Sequence, residues 1–195
     1  VLFRSNRGLT PERLKVILGA DYPKIMKVLT AKNRELGGKH PARQKIVDAA
    51  QSIEAFRSIM KGLSKDEAMD MRQIILREPD ISPDVLDELS KTKTDNSYFL
   101  VSLARNRNAP PQALARLVPS ESVAVEVWIA RNPNTPPETQ IELTNRKEHH
   151  EYEIRTSLAK NPSTSEAALR ILAKDEHATI RALVGRREDG IVPVP

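Results

Sequence analysis

Five cations stand at one place in a recurring pattern: Arg77, Arg105, Arg131, Lys160 and Arg186. If the copies stack, these residues line one edge, and a ladder of positive charge there could contact the phosphates of a nucleic acid. The same positions fall where helices are expected to end. A cation there complements the helix macrodipole and bonds free carbonyls, for about 0.3–1 kcal/mol each. A second column, Arg72, Arg155 and Arg181, stands five residues earlier, interrupted by Leu100 and Glu126. Trp128 is the only tryptophan, and Ile74, Ser102, Ser157 and Leu183 hold the equivalent places. It therefore reads as a local exception, suited to core packing or to contact with a partner before base recognition.

Other chemistry finds little support. His149-His150 lies between Glu148 and Glu151, but adjacent histidines point apart on a helix and no third ligand stands at a suitable spacing, so a solvated loop is expected. His40 and His177 are isolated. The absence of cysteine removes disulfides, thiolate metal sites and a cysteine nucleophile together. There is no GxSxG and no phosphate-binding glycine loop. Asp66-Glu67 and Asp175-Glu176 read as acids in the first turn of helices. Tyr98, Phe99 and Tyr152 are too scattered for a stacking platform. No catalytic residue, cofactor or metal is expected, and no small-molecule substrate is evident.

The elements that position the cations repeat. LARNRNAPPQALARL starts at Leu103, IARNPNTPPETQIEL at Ile129 and LAKNPSTSEAALRIL at Leu158, with a divergent copy at Ile75 and a fourth start, VGRRE, at Val184. Successive starts are 28, 26, 29 and 26 residues apart, a period typical of stacked supersecondary units. Each copy reads as two helices. The first ends in Asn106, Asn132 or Asn161, expected to close it in the left-handed conformation, and Pro133 or Pro162 prevents continuation. The second starts on Ser82-Pro83 or Thr135-Pro136, with Glu138 completing a capping box with Thr135. Leu86, Leu114 and Leu169 form one apolar column, broken by Gln140; Leu89, Leu117, Leu143 and Leu172 form another. Ala104, Ala130, Ala159 and Gly185 align in the first helices, which suits close packing.

The ARNPNTPP stretch and the unit length resemble the leucine-rich repeat variant, a relative of the HEAT-like α-solenoids, over roughly residues 66–189. The resemblance implies a right-handed superhelix of helix pairs whose second helix is short, with 3₁₀ character. Glu78 and Arg107 depart from its Asn and Pro, and Ser165-Glu166 from its Pro-Pro. Members carrying an iron–sulfur module bind it through cysteines, which this chain lacks, so that function is not carried over.

Composition suits an elongated fold: 195 residues, 39% hydrophobic, 29% charged and 4% aromatic. No apolar run reaches the ~20 residues that span a bilayer, and no secretory signal is present, so a cytoplasmic protein is expected. Residues 1–73 carry 15 Lys plus Arg against 8 Asp plus Glu, and residues 74–195 carry 16 against 18. The basic excess is therefore N-terminal and points there to an anionic partner.

Val1–Ser5 resembles a translated sequencing adapter at the edge of an environmental fragment and is expected to be a non-native leader, with more sequence upstream. Residues 6–63 are expected to form a basic helical segment. It consists of helices from Thr10 to about Ala20 and from Tyr22 to Gly37, then a longer one from Pro41 through Ile46, Val47, Ala50, Ile53, Phe56 and Met60 to Gly62. The segment is either the cap of the stack or a module that docks nucleic acid through Lys24, Lys27, Lys32, Arg34, Lys39 and Arg43. Ser64 with Glu67 opens the repeat array over 64–189, and 190–195 is a frayed tail.

The resulting expectation is an all-α, right-handed solenoid of about five helix pairs. It is expected to be a non-catalytic binding scaffold presenting an extended surface to a macromolecular partner, first of all a protein. The alternative is sequence-independent nucleic-acid binding through the cation ladder and the N-terminal helices. An enzyme of the HEAT-like DNA glycosylase type, with Trp128 at the base, ranks last.

Overall fold

The computed structural model describes residues 47–187 apart from 62, 64, 79, 121 and 147–151, and without the side chains of Glu67 and Asp70. The leader at Val1–Ser5, the first two N-terminal helices with Lys24, Lys27, Lys32 and Arg34, the Ser64 cap, the His149-His150 pair and the tail from Gly190 lie outside the described residues. Among the described residues every regular element is helical: a helical stretch at residues 47–51, ten further α-helices and one 3₁₀ turn. None is long and apolar enough to cross a membrane. The chain divides into two compact units, Val1–Val85 and Leu86–Pro195.

In the first unit residues 47–51 are helical, followed by α1 (Ile53–Met60) and α2 (Lys65–Ile75). The apolar spacing through Ile53 predicts one unbroken helix here. Instead Ser52 is extended (φ −130°, ψ 129°), and its Oγ accepts from the Ala55 N–H at 3.3 Å. A serine hydroxyl that competes for a backbone donor divides the run and starts a new helix. Phe56, Met71 and Ile75 are buried with Ala49 and Ala50, and the Ser82 N–H donates to Ala50 O at 2.8 Å.

The boundary between the units falls within α3 (Pro83–Ser90). The second unit continues with α4 (Ser97–Arg105), α5 (Pro111–Leu117) with its 3₁₀ extension Val118–Ser120, α6 (Val123–Arg131) and α7 (Pro137–Thr144). Then come α8 (Tyr152–Lys160), α9 (Glu166–Leu172) and α10 (Ala178–Gly185). Helix α4 packs on α6, α6 on α8 and α8 on α10, while α7 packs on α9. Both leucine columns are core, from Leu86, Leu114 and Leu169 to Leu89, Leu117, Leu143 and Leu172. Ala104, Ala130 and Ala159 are buried too. Gly185 is exposed and a Cβ there would meet open space, so small size serves packing at the first three places only.

The helix ends differ from expectation. Asn106 (φ −70°, ψ 123°) and Asn132 (φ −75°, ψ 129°) are extended, so left-handed tolerance is not why asparagine stands there. Its side chain supplies the reason. Asn132 Nδ2 donates to Ala104 O at 2.8 Å and Asn106 O at 2.9 Å, in the copy before it. Asn161 Nδ2 repeats this to Ala130 O at 2.9 Å and Asn132 O at 3.1 Å. The Oδ1 of Asn106, Asn132 and Asn161 accepts from the N–H two residues on, at Asn108, Asn134 and Ser163. The amides of Asn132 and Asn161 thus answer carbonyls that a helix end leaves open. In the last copy Arg187 takes the place, its Nη1 donating to Asn161 O at 2.8 Å and Ala159 O at 3.4 Å.

Hydroxyls close the same turns: Thr135 Oγ1 donates to Ile129 O at 2.5 Å and Thr164 Oγ1 to Leu158 O at 2.7 Å. Thr135 therefore faces back toward α6, and the capping box with Glu138 does not form; α7 follows Pro136 without a side-chain cap. Ser82 and Ser165 do cap, accepting from Val85 and Ala168 at 3.4 Å each.

Polar residues also cross the core. Gln140, which interrupts a leucine column, is 1% exposed; its Nε2 donates to Thr135 O and Ser163 O, and its Oε1 accepts from the Ser165 N–H at 2.7 Å. Arg155, expected in a second cation column, is fully buried: its Nε donates to Asp175 Oδ2 at 2.7 Å and its Nη1 to Arg146 O. Asp175 is accordingly no first-turn helix acid. It precedes the cap of α10 and also accepts from the His177 N–H at 2.9 Å. Buried Glu126 is held by Arg146 through Nε and Nη2, the shortest bond 2.7 Å. Such pairs must stay complete, because a lone buried charge is far costlier than the pair.

Replacing Asn132 by Ala should cost about 1–3 kcal/mol, since buried Ala104 O loses its donor. Asn132→Asp should cost more despite near-identical shape, because a carboxylate would then face two carbonyl oxygens. Urea unfolding of the two variants beside the parent chain checks the order. A pH dependence follows from Asp87, which accepts from Arg116 Nη1 at 2.6 Å and lies 3.1 Å from Lys91 Nζ. Burial pushes its carboxyl up, but the hydrogen bonds from Arg116 and then Lys91 outweigh burial and hold it below the usual carboxylate range. Its contribution to stability is complete above the unfolded-chain value of about 3.9 and is lost as pH falls through the lower folded value. The urea midpoint of Asp87→Asn should therefore fall less on acidification than that of the parent.

Candidate functional site

The turns locked by Asn132 and Asn161 leave the last residues of α4, α6 and α8 facing a groove. Trp128, half-buried in α6, lies between two cations of the ladder: the Arg105 guanidinium carbon is 5.0 Å from the ring centroid and that of Arg131 is 5.2 Å away. Arg131 stands one helical turn beyond Trp128, while Arg105 arrives from the neighbouring helix α4. Both distances suit a cation held by the ring quadrupole. Arg105, Arg107, Trp128, Arg131, Pro133 and Pro162 line a groove of about 350 Å³. A second groove of about 390 Å³ adjoins it, with Glu153, Thr156 and Lys160 on its wall, and shares Arg131, Asn161 and Pro162.

The charges within it differ. Arg131 Nη2 bonds Glu153 Oε1 at 2.8 Å and its Nε bonds Ser157 Oγ at 3.2 Å. Both members of that ion pair are exposed, Arg131 by 43% and Glu153 by 61%, so solvent screens it. Among the described residues neither Arg105 nor Lys160 pairs with a carboxylate. Nor do these cations bond the helix-end carbonyls, as their position first suggests; the asparagine amides and threonine hydroxyls already do.

The structure thus brings Arg105, Arg131 and Trp128 into one groove and Lys160 into its continuation. Arg186 caps the exposed end of α10. Arg77 follows α2 in the other unit and is exposed. Arg107 and Glu153 belong to the groove although the column does not contain them. Arg107 replaces a proline of the repeat and is visible only as that departure. Glu153 has Ala124 and Tyr98 at the equivalent places, so no periodic signal marks it. Tyr152, scattered in sequence, meets His177 edge to face with centroids 4.8 Å apart. No group of three or more metal-ligating side chains occurs among the described residues.

Compared with known proteins, the chain matches no family model, no curated protein and no solved structure.

The Trp128 contacts should be measurable as a coupling. In a double-mutant cycle of Arg105→Gln with Trp128→Leu, urea unfolding should return a coupling energy of about 0.5–1 kcal/mol in favour of the pair. Strict additivity of the two losses would leave the contact without energetic weight.

Proposed function

We propose that the chain is a cytoplasmic, non-catalytic binding scaffold. In this reading it is an α-solenoid of about five helix pairs, right-handed and akin to the leucine-rich repeat variant, that presents its basic groove to a protein partner. One observation carries the reading: the helix-end carbonyls beside the cation ladder are already bonded by Asn132, Asn161, Thr135, Thr164 and Arg187, so Arg105 and Lys160 are not needed to close those helix ends. Cations without a carboxylate partner among the described residues, one of them on the face of a half-buried tryptophan and with prolines alongside, have the make-up of a contact surface in which an aromatic and an arginine anchor binding.

Nucleic-acid association through the same cations is the second reading, favoured by the exposure of Arg105, Lys160 and Arg186. Salt separates the two. Duplex and single-stranded DNA should bind the purified chain weakly at low salt and with a shallow salt slope. Micromolar binding that collapses with salt, and whose slope flattens in the Arg105→Gln, Arg131→Gln, Lys160→Gln triple variant, would replace the protein-partner reading by the nucleic-acid one.

A further inference from the structure

The groove's charges have a spacing, and the spacing selects a ligand. We infer that the groove takes an extended acidic segment of a partner protein, with carboxylates at every third residue, one of which displaces Glu153 from Arg131. This deepens the scaffold reading above and rests on it. The guanidinium carbons of Arg105 and Arg131 lie on one tryptophan ring at 5.0 and 5.2 Å, which places them no more than about 10 Å apart. Lys160 stands one packed helix further on, and packed helices lie about 8–10 Å apart. A chain in the polyproline II conformation has three residues per turn and rises about 9 Å over them. Acidic residues at every third position of such a chain therefore fall on one face about 9 Å apart, a step within that limit and equal to the usual spacing of packed helices.

The rest of the groove fits a peptide before a polyanion. Pro133, Pro162 and Trp128 offer apolar surface between the cations. Aromatic and proline surfaces are what extended, proline-rich segments dock on. Glu153 stands in the path of any continuous phosphate strand, and residues 74–195 carry 16 basic against 18 acidic side chains, so the region that holds the groove adds no excess of positive charge to attract a polyanion. A segment with separated charges avoids the clash with Glu153 and, with its lower charge density, relies less on an excess of positive charge. Its carboxylate can take the place of Glu153 on Arg131, because the pair it replaces is exposed and weak. Glu153 in this arrangement is a built-in competitor that keeps the groove closed to weakly charged segments.

The test uses the full chain and three fluorescein-labelled probes followed by anisotropy: a peptide of five Glu-Pro-Pro triplets, a peptide of the same composition with its glutamates contiguous, and an oligothymidylate of equal length. Trp128, the only tryptophan, gives a second readout from inside the groove in unlabelled titrations. The triplet peptide should bind best, about tenfold tighter than the contiguous one, and should change Trp128 emission. Glu153→Gln should tighten it about threefold, and Arg105→Gln or Lys160→Gln should weaken it by about as much or more. Equal binding of the two peptides, or no gain in Glu153→Gln, would overturn the inference while leaving a basic binding groove, and with it the scaffold reading, in place. Tighter binding of the oligothymidylate would overturn it in favour of nucleic acid. Silence of Trp128 toward all three probes at low salt would remove both the inference and the groove as a binding site.

Discussion

A buried primary amide bonded to two carbonyls of the preceding turn is the interaction on which the second unit depends. A helix leaves its last carbonyls without partners, and a helix end set inside a stack cannot turn to water for them. Asn132 and Asn161 meet that demand with one short side chain that donates backward through Nδ2 and accepts forward through Oδ1. Each asparagine thereby shapes its own turn and fastens it to the previous one. Arg187 does the backward half with a longer, planar donor, which reaches three carbonyls, those of Ala159, Asn161 and Pro162.

Around this device the polar core is specific where the apolar core is generic. Leucines in the columns bury area without choosing partners, whereas Gln140, the Arg155–Asp175 pair and the Glu126–Arg146 pair each have one geometry that satisfies all their atoms. Gln140 links the start of α7 to the turn before α9. The ion pairs bridge from α6 and α8 to the loops beside them, where irregular backbone has no ladder of its own. Removing one partner of such a pair is costly, which confines these loops to one arrangement.

That internal satisfaction is also what gives the groove its character. Because amides and hydroxyls answer the carbonyls, Arg105 and Lys160 are not held by their own helix ends. Trp128 instead positions Arg105 and Arg131 at similar distances from a single ring. Glu153 tempers the charge at the centre through an exposed, exchangeable pair, so the surface combines a rigid aromatic platform with a negotiable electrostatic one.

The helical period, the recurrence of Asn after a small residue and a cation, and the leucine columns are local properties. They follow from 3.6-residue periodicity and from what can stand at a helix end, so the all-helical class and the buried leucines were legible in the residues alone. The run broken at Ser52 and the uncapped start of α7 were not, because serine and threonine hydroxyls choose between local backbone donors and acceptors according to what else is near. Asparagine's position was visible while its role was not: a left-handed turn and a backward amide bond ask for the same residue, and only the neighbouring copy distinguishes them. Burial of Arg155 was likewise beyond reach, since its partner Asp175 lies 20 residues away in a loop. So was the groove. The cation column needed only counting, but the meeting of Arg105 with Trp128 and of Arg131 with Glu153 required helices from successive copies to lie side by side, and that is decided by packing, which no single stretch of chain encodes.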